Sequence, residues 1–324
     1  MTLVIGTDEA GYGPNLGPLV VAATVWDVAA APDDADAALA AALESAALAA
    51  DPSAASAAPL WADSKTVYRG GAASGMAALE LAAMSGIAVA TGRVPAGWDA
   101  CASALHIQQP DGMPPPEWAT LASSSLPIAI DAATCASRAG RIATALADAG
   151  AAIRRVACRV VHPREFNRLL DDGLNKSDIL SQVTLGLAAD AWSRTTCDGP
   201  AVIWCDRHGG RKSYAAVVSR HFACPLVRPL EETPARSAYE LPEMKCRIEF
   251  CVGGERRGPV ALASLAAKYV RELSMQAFNT FWGARSPGLA PTAGYPVDAA
   301  RWRRDAAAAI AAAGIHDDDL WRRV

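Results

Sequence analysis

A chain of 324 residues with 52% hydrophobic and 20% charged side chains carries enough apolar surface to bury a large core, which excludes an intrinsically disordered protein. Its net charge of −4 neither requires nor rules out a nucleic-acid partner, because local patches outweigh the total. The eight cysteines form no C-x-x-C pair and no zinc-like spacing with the five histidines, so they read as reduced, mostly buried thiols of a cytoplasmic protein.

The chain enters a strand directly after Met1, which leaves no place for a signal peptide. Leu3–Ile5 and Pro18–Val28 read as strands of a hairpin around a loop rich in Gly and Pro. Residues 29–59 read as an Ala-rich helix plus loop; their most apolar part carries Glu44 and is no membrane span. A helix is expected over 74–84. The stretch "GWDACASALHIQQPDGMPPPEW" has three consecutive prolines and no period, and reads as a loop or insertion. "LPIAID" reads as a strand and 137–149 as a helix. Ile153–Val161 alternates as a half-buried strand does, with Val156, Cys158 and Val160 on one face and Arg155 and Arg159 on the other. Asn175–Trp192 carries an apolar helical stripe, and "AVIWCD" and "RIEFCV" read as further strands. Pro259–Thr280 is a long helix, and the tail from residue 299 is helical again. Strands mixed with helices indicate an α/β sheet.

Three places hold acids in positions where chemistry is common. Asp8 and Glu9 lie between an apolar strand and the glycine loop. Neighbours on a strand point to opposite faces, so both serve one site only if the strand bends or ends there, which Gly11 and Gly13 permit. By itself this dipeptide is more often an exposed turn. Asp206 closes the most apolar strand, where a sheet edge opens into a crevice, and "RHGGRK" follows as a basic loop equally suited to phosphates or to water. Ser264, Lys268 and Glu272 fall at i, i+4 and i+8 on the long helix; taken alone, that stripe is a solvated face with a weak ion pair.

Taken together, "GTDEAGYGPNLGPLVVAA", "DSK", "ASLAAKYVRELSM" and "GYPVDA…GIHDDDLWRRV" occur in the order found in type 2 ribonucleases H. The chain resembles that family, ribonuclease HII more than ribonuclease HIII, in blocks spread from residue 3 to residue 324 that cover about half of it. The resemblance implies a ribonuclease H-like fold: a mixed five-stranded sheet flanked by helices, with a C-terminal helical segment. It divides the chain into a catalytic domain, 1–285, with insertions near 29–60, 95–125 and 214–245, and a helical segment, 286–324. Carried over residue by residue, it implies that Asp8, Glu9, Asp206 and Glu272 are the catalytic, metal-holding acids. Glu272 stands where the family has Asp, which adds a methylene. Gly11-Tyr12-Gly13 stands where ribonuclease HII reads Gly-Arg-Gly, so the close backbone approach of the glycines is kept and the arginine's phosphate contact is lost. Ser64, Lys65, Ser264 and Lys268 are implied as phosphate contacts. Tyr295 is implied to pack on the deoxyribose, and as a turn residue packing on Trp302 it would look the same in sequence.

Four clustered carboxylates repel one another unless cations neutralise them, and hard oxygen ligands with open positions suit two Mg²⁺ or Mn²⁺ ions. The expected activity is endonucleolytic cleavage of the RNA strand of RNA–DNA hybrids, or of ribonucleotides embedded in duplex DNA, leaving 5′-phosphate and 3′-hydroxyl ends. The alternative is a nucleic-acid-binding protein on the same fold with weakened turnover, because of Tyr12 and Glu272. The chain is expected to act as a monomer away from membranes. A nucleotide-binding P-loop reading of "GYGPNLGP" fails for want of Gly-Lys-Ser/Thr and because Pro14 interrupts the dinucleotide fingerprint.

Overall fold

The strand after Met1 runs further than its apolar residues alone indicate. In the computed structural model, which describes residues 1–51, 60–61, 67–68, 73–108, 115–195 and 199–323, strand β1 (Thr2–Ala10) passes through both Asp8 and Glu9. Every residue of β1 except Glu9 is buried, as a central strand covered on both faces requires. The other strands are β2 (Leu19–Val28), β3 (Ala151–Val161), β4 (Ala201–Asp206), β5 (Arg228–Glu232), β6 (Arg236–Leu241) and β7 (Cys246–Cys251). The helices are α1 (Ala35–Ala50), α2 (Ala73–Thr91), α3 (Trp98–Ala104), α4 (Ala119–Ala122), α5 (Ala132–Asp148), α6 (Pro163–Asp171), α7 (Lys176–Ser193), α8 (Ala215–Phe222), α9 (Gly258–Arg285), α10 (Pro296–Asp305), α11 (Ala307–Ala313) and α12 (Asp317–Leu320).

The strands form one seven-stranded mixed sheet in the order β3-β2-β1-β4-β7-β6-β5. The first three are antiparallel neighbours, and β1, β4 and β7 run parallel. The expected five-stranded sheet is therefore corrected to seven. The two additional strands come from the stretch near 214–245: β6 pairs antiparallel with β7, and β5 pairs with β6. Ala238, Tyr239 and Leu241 of β6 are buried, so packing as well as backbone pairing holds this extension to the sheet.

Side chains of β1 alternate between two cores. Val4 packs with Val202 and Trp204 of β4 under α9, α1, α2 and α5. Leu3 and Ile5 pack with Ile203 and Cys205 under α7 and α8. Helix α9 lies directly on β1. A Cβ on Gly6 would stand 2.3 Å from the Pro259 carbonyl carbon, and Thr24 Oγ1 donates to Pro259 O at 2.7 Å. A third, smaller core of Leu16, Met275, Phe278, Trp282 and Trp302 fastens α10 to the far end of α9.

"LPIAID" is not a strand. The amides of Ile128 and Ala129 are taken by the carboxylate of Glu80, at 2.7 and 2.6 Å, rather than by a neighbouring strand. Tyr269 Oη donates to the same buried carboxylate at 2.8 Å. Glu80→Ala would leave two amides and a phenol without this acceptor. It is expected to lower stability by about 3 kcal/mol, read as a drop in urea midpoint at unchanged slope. Among the described residues no helix is long and apolar enough to cross a membrane, and the described cysteines are all free.

Candidate active site

Parallel pairing of β1 with β4 sets Thr7 opposite Cys205, so Asp8 and Asp206 follow as the next residues on adjacent strand ends. Alternation places both on the α9 face, with Val4 and Gly6 on one strand and Val202 and Trp204 on the other. Two acids far apart in the chain thus become neighbours. Asp8 is 7% exposed; its carboxylate accepts the Glu9 N–H at 2.8 Å and a hydrogen bond from Ser264 on α9. Asp206 Oδ1 accepts the Gly254 N–H at 2.9 Å. A Cβ at Gly254 would lie 3.1 Å from Asp206 Cα, so glycine lets this backbone approach the acid closely.

Glu9 emerges on the opposite face, half-buried, so the strand neither bends nor ends to bring the two adjacent acids together. Their charges interact all the same. The Asp8 carboxyl is pushed well above the usual carboxylate range, first by burial, then by the charges of Glu9 and Asp206; the Ser264 and Glu9 hydrogen bonds oppose this only in part. Among the described residues no lysine, arginine or histidine pairs with Asp8.

The stripe Ser264, Lys268, Glu272 is not a solvated face. Ser264 is 5% exposed, and the Lys268 and Glu272 side chains are 20% and 16% exposed, because this side of α9 covers the strand ends. Glu272 Oε1 meets Lys268 Nζ at 2.8 Å, and Glu272 Oε2 accepts from Tyr68 Oη at 2.9 Å. Arg271 Nη1 lies 3.6 Å away. Glu272 therefore stands two helical turns beyond Ser264, held by a cation and a phenol, and the carboxylates acting on Asp8 are Glu9 and Asp206.

The glycine loop is pinned from behind. Gly11 has φ +84°, and a Cβ on it would meet Pro18 O at 2.5 Å and Arg271 Nε at 2.6 Å. Asn15 and Leu16 donate their amides to Gly294 O, and the Arg322 amide donates to Asn15 O. Tyr295 lies beside Gly13, 3.8 Å from where a Cβ would stand, with the Arg271 guanidinium 5.9 Å from its ring. Trp302 packs on Phe278 and Trp282. Lys176 Nζ stands 4.4 Å from the Tyr12 ring centroid. Burial, then Glu9, raises the Tyr12 phenol pKa. Ser64 and Lys65 lie outside the described residues.

"RHGGRK" is not a free basic loop. Arg207 donates to Thr233 O and Pro234 O, Arg211 pairs with Asp178, and His208 is buried beside Ser181, its pKa pushed down to about 3 by burial and Arg211. Sequence reasoning did not single out Arg271, Arg322, Tyr68, Lys176 or Gly254. Arg271 and Arg322 sat inside quoted motifs, but nothing local distinguishes a buried arginine from a surface one.

Among the described residues no group of three or more His, Cys, Asp and Glu closes into a ready metal site. The donor chemistry nevertheless fits a divalent cation at Asp8 and Asp206. The pair offers hard oxygens on one face of adjacent strand ends, buried beside further negative charge from Glu9.

This chain's solved likenesses are type 2 ribonucleases H, HII and HIII, over nearly its full length. It aligns with Bst-RNase HIII in complex with Mn²⁺ at 16% identity and TM-score 0.41, covering 100% of this chain and 66% of that one. With the RNase HII of the PCNA complex from Archaeoglobus fulgidus the figures are 13%, 0.46, 98% and 93%. With ribonuclease H2 from Pyrococcus horikoshii OT3 they are 12%, 0.45, 98% and 92%. No family model and no curated protein matches the chain. The reading of the site rests on its own geometry.

Proposed function

We propose that the chain is a metal-dependent endonuclease that cleaves the RNA strand of RNA–DNA hybrids, or ribonucleotides embedded in duplex DNA. The observation that carries this reading is the side-by-side placement of Asp8 and Asp206 on parallel strand ends, with no cationic partner on Asp8 among the described residues. In this reading Asp8 and Asp206 hold Mg²⁺ or Mn²⁺, Glu9 adds negative charge from the other face of β1, and Glu272 joins them through water or stays with Lys268 as a positioning pair. Bound cations would activate a water for attack on phosphorus and stabilise the leaving 3′-oxygen, giving 5′-phosphate and 3′-hydroxyl ends.

The chain's own groups take the remaining tasks. Ser264 holds the Asp8 carboxylate toward the neighbouring acid. Lys268 brings a positive charge to the covered side of the strand ends, where a phosphate can meet it. Gly11, Tyr12 and Gly13 offer backbone to the ribose 2′-hydroxyl, the group that separates RNA from DNA. The exposed ring of Tyr295, beside Gly13, offers a surface for the adjoining sugar. Ser64 and Lys65 remain proposed phosphate contacts.

The test is a DNA duplex containing one ribonucleotide, incubated with purified protein and Mn²⁺. The expected outcome is strand cleavage at the ribonucleotide, abolished by chelation and absent on the all-DNA duplex. The engagement of Glu272 by Lys268 and Tyr68 favours a second reading, a duplex-binding protein of weak turnover on the same fold. Binding without cleavage in that assay selects it.

A further inference from the structure

The segment after α12 carries a cation in an unusual place. Arg322 is 0% exposed, yet among the described residues it has no carboxylate partner. Its guanidinium donates to Gly11 O at 2.6 Å and to Pro14 O, and lies 5.1 Å from the Phe166 ring centroid. Its Nε and Nη1 are buried with no acceptor among the described residues. Burial, then the nearby Arg271, pushes its pKa down to about 9. Taking a guanidinium out of water opposes folding, and an apolar residue would fasten the tail at lower cost. The tail is already fastened through backbone: the Arg322 amide donates to Asn15 O at 2.8 Å, and Asn15 Nδ2 donates to Arg322 O at 3.0 Å. What the side chain adds is a single nitrogen, Nη2, that donates to two carbonyls of the glycine loop.

That grip has a directional consequence. In a trans peptide the N–H points opposite the C=O. With Gly11 O drawn inward to Arg322, the N–H of Tyr12 is turned outward, toward the side on which Tyr12 is half-exposed and Gly13 exposed. It finds no acceptor among the described residues. In the same way Pro14 O faces Arg322 while the Asn15 N–H turns to Gly294 O at 2.8 Å.

We propose that Arg322 is a positioning residue for ribonucleotide selectivity: it locks the Gly11–Tyr12 peptide so that the Tyr12 N–H is presented to the sugar of the substrate. This rests on the nuclease reading above. It places a determinant of selectivity on the segment after α12, which carries none of the four candidate acids.

The experiment uses the full chain as wild type, Arg322→Lys and Arg322→Gln. Affinity is measured for a DNA duplex with one ribonucleotide and for the same duplex in all-DNA form, with Ca²⁺ present to hold back turnover. Folding is followed by circular dichroism and melting, and Mn²⁺ binding by calorimetry. Wild type should prefer the ribonucleotide duplex by about tenfold or more. Arg322→Gln should bring the two duplexes within about twofold, at unchanged Mn²⁺ affinity, and raise KM far more than it lowers kcat. Arg322→Lys, which keeps the charge and a single donor nitrogen on a shorter reach, should fall between. A folded Arg322→Gln protein with the wild-type preference overturns the positioning role while leaving the nuclease reading intact. Loss of folding in both variants assigns Arg322 to the core and overturns it as well. A wild type that shows no preference and no cleavage fails the nuclease reading itself.

Discussion

Asp8→Asn is expected to abolish cleavage, by at least about 10³-fold in kcat, and at the same time to raise the melting temperature of the metal-free protein. The two effects share one cause. Asp8 is buried beside two other carboxylates, so its folded pKa stands above its unfolded value of 3.8. The folded state thus prefers the protonated acid. Ionisation costs stability progressively as pH rises from the unfolded pKa through the folded one, and above that the whole penalty is present. Asparagine removes the charge, so the gain over wild type should be absent below about pH 3.8 and largest at pH 8. Each 1 kcal/mol relieved corresponds to roughly 1.5 °C in Tm for a chain of this length. Mn²⁺ should raise the Tm of wild type at pH 8 and leave that of Asp8→Asn nearly unchanged, because it stabilises the fold only through the site it binds. Calorimetric scans with and without chelator across pH 4–8 read both. An Asp8→Asn protein that is less stable than wild type at pH 8 without metal would mean the charge is compensated by the fold.

Asp206→Asn and Glu272→Gln should separate the two kinds of acid in the site. Asp206 is the in-register neighbour of Asp8, and its loss should remove cleavage by at least about 10³-fold. It should also bring the Asp8 pKa down, visible in a carboxyl carbon NMR titration, because one of the two charges raising it is gone. Glutamine at 272 can still accept the Tyr68 hydroxyl and loses the pairing with Lys268. The expected fall is about 10–100-fold, the size seen when a supporting group rather than a ligand is changed. Single-turnover rates in Mn²⁺ on a one-ribonucleotide duplex measure the contrast. Equal losses for the two variants would place Glu272 among the groups that hold the cation.

Such predictions depend on features with different origins. The run "TLVIGTDEA" is apolar enough to announce a buried central strand, and a pair of acids at its end followed by glycines announces a place where charge is tolerated for a reason. "AVIWCD" announces the same at Asp206. The long helix is legible from its period, and the order of the motifs is what the resemblance rests on. Glu80 shows the opposite case. "LPIAID" has the composition of a strand, but a carboxylate from α2 takes two of its amides, and no local pattern encodes a hydrogen-bond partner so distant in the chain.

By itself the sequence determined the class of fold, the acids at strand ends and the glycine loop, because strand burial, helix period and turn chemistry are written within a few neighbouring residues. Only the tertiary structure decided which acids meet. The parallel register of β1 and β4 brings Asp206 to Asp8, alternation sends Glu9 to the other face, and the seat of α9 on Gly6 turns an apparently solvated stripe into the covered side of the site. It also decided that Arg322 lies under the loop rather than in water. Register and packing arise from contacts between distant segments, and a buried arginine differs from an exposed one only in what the rest of the chain folds over it.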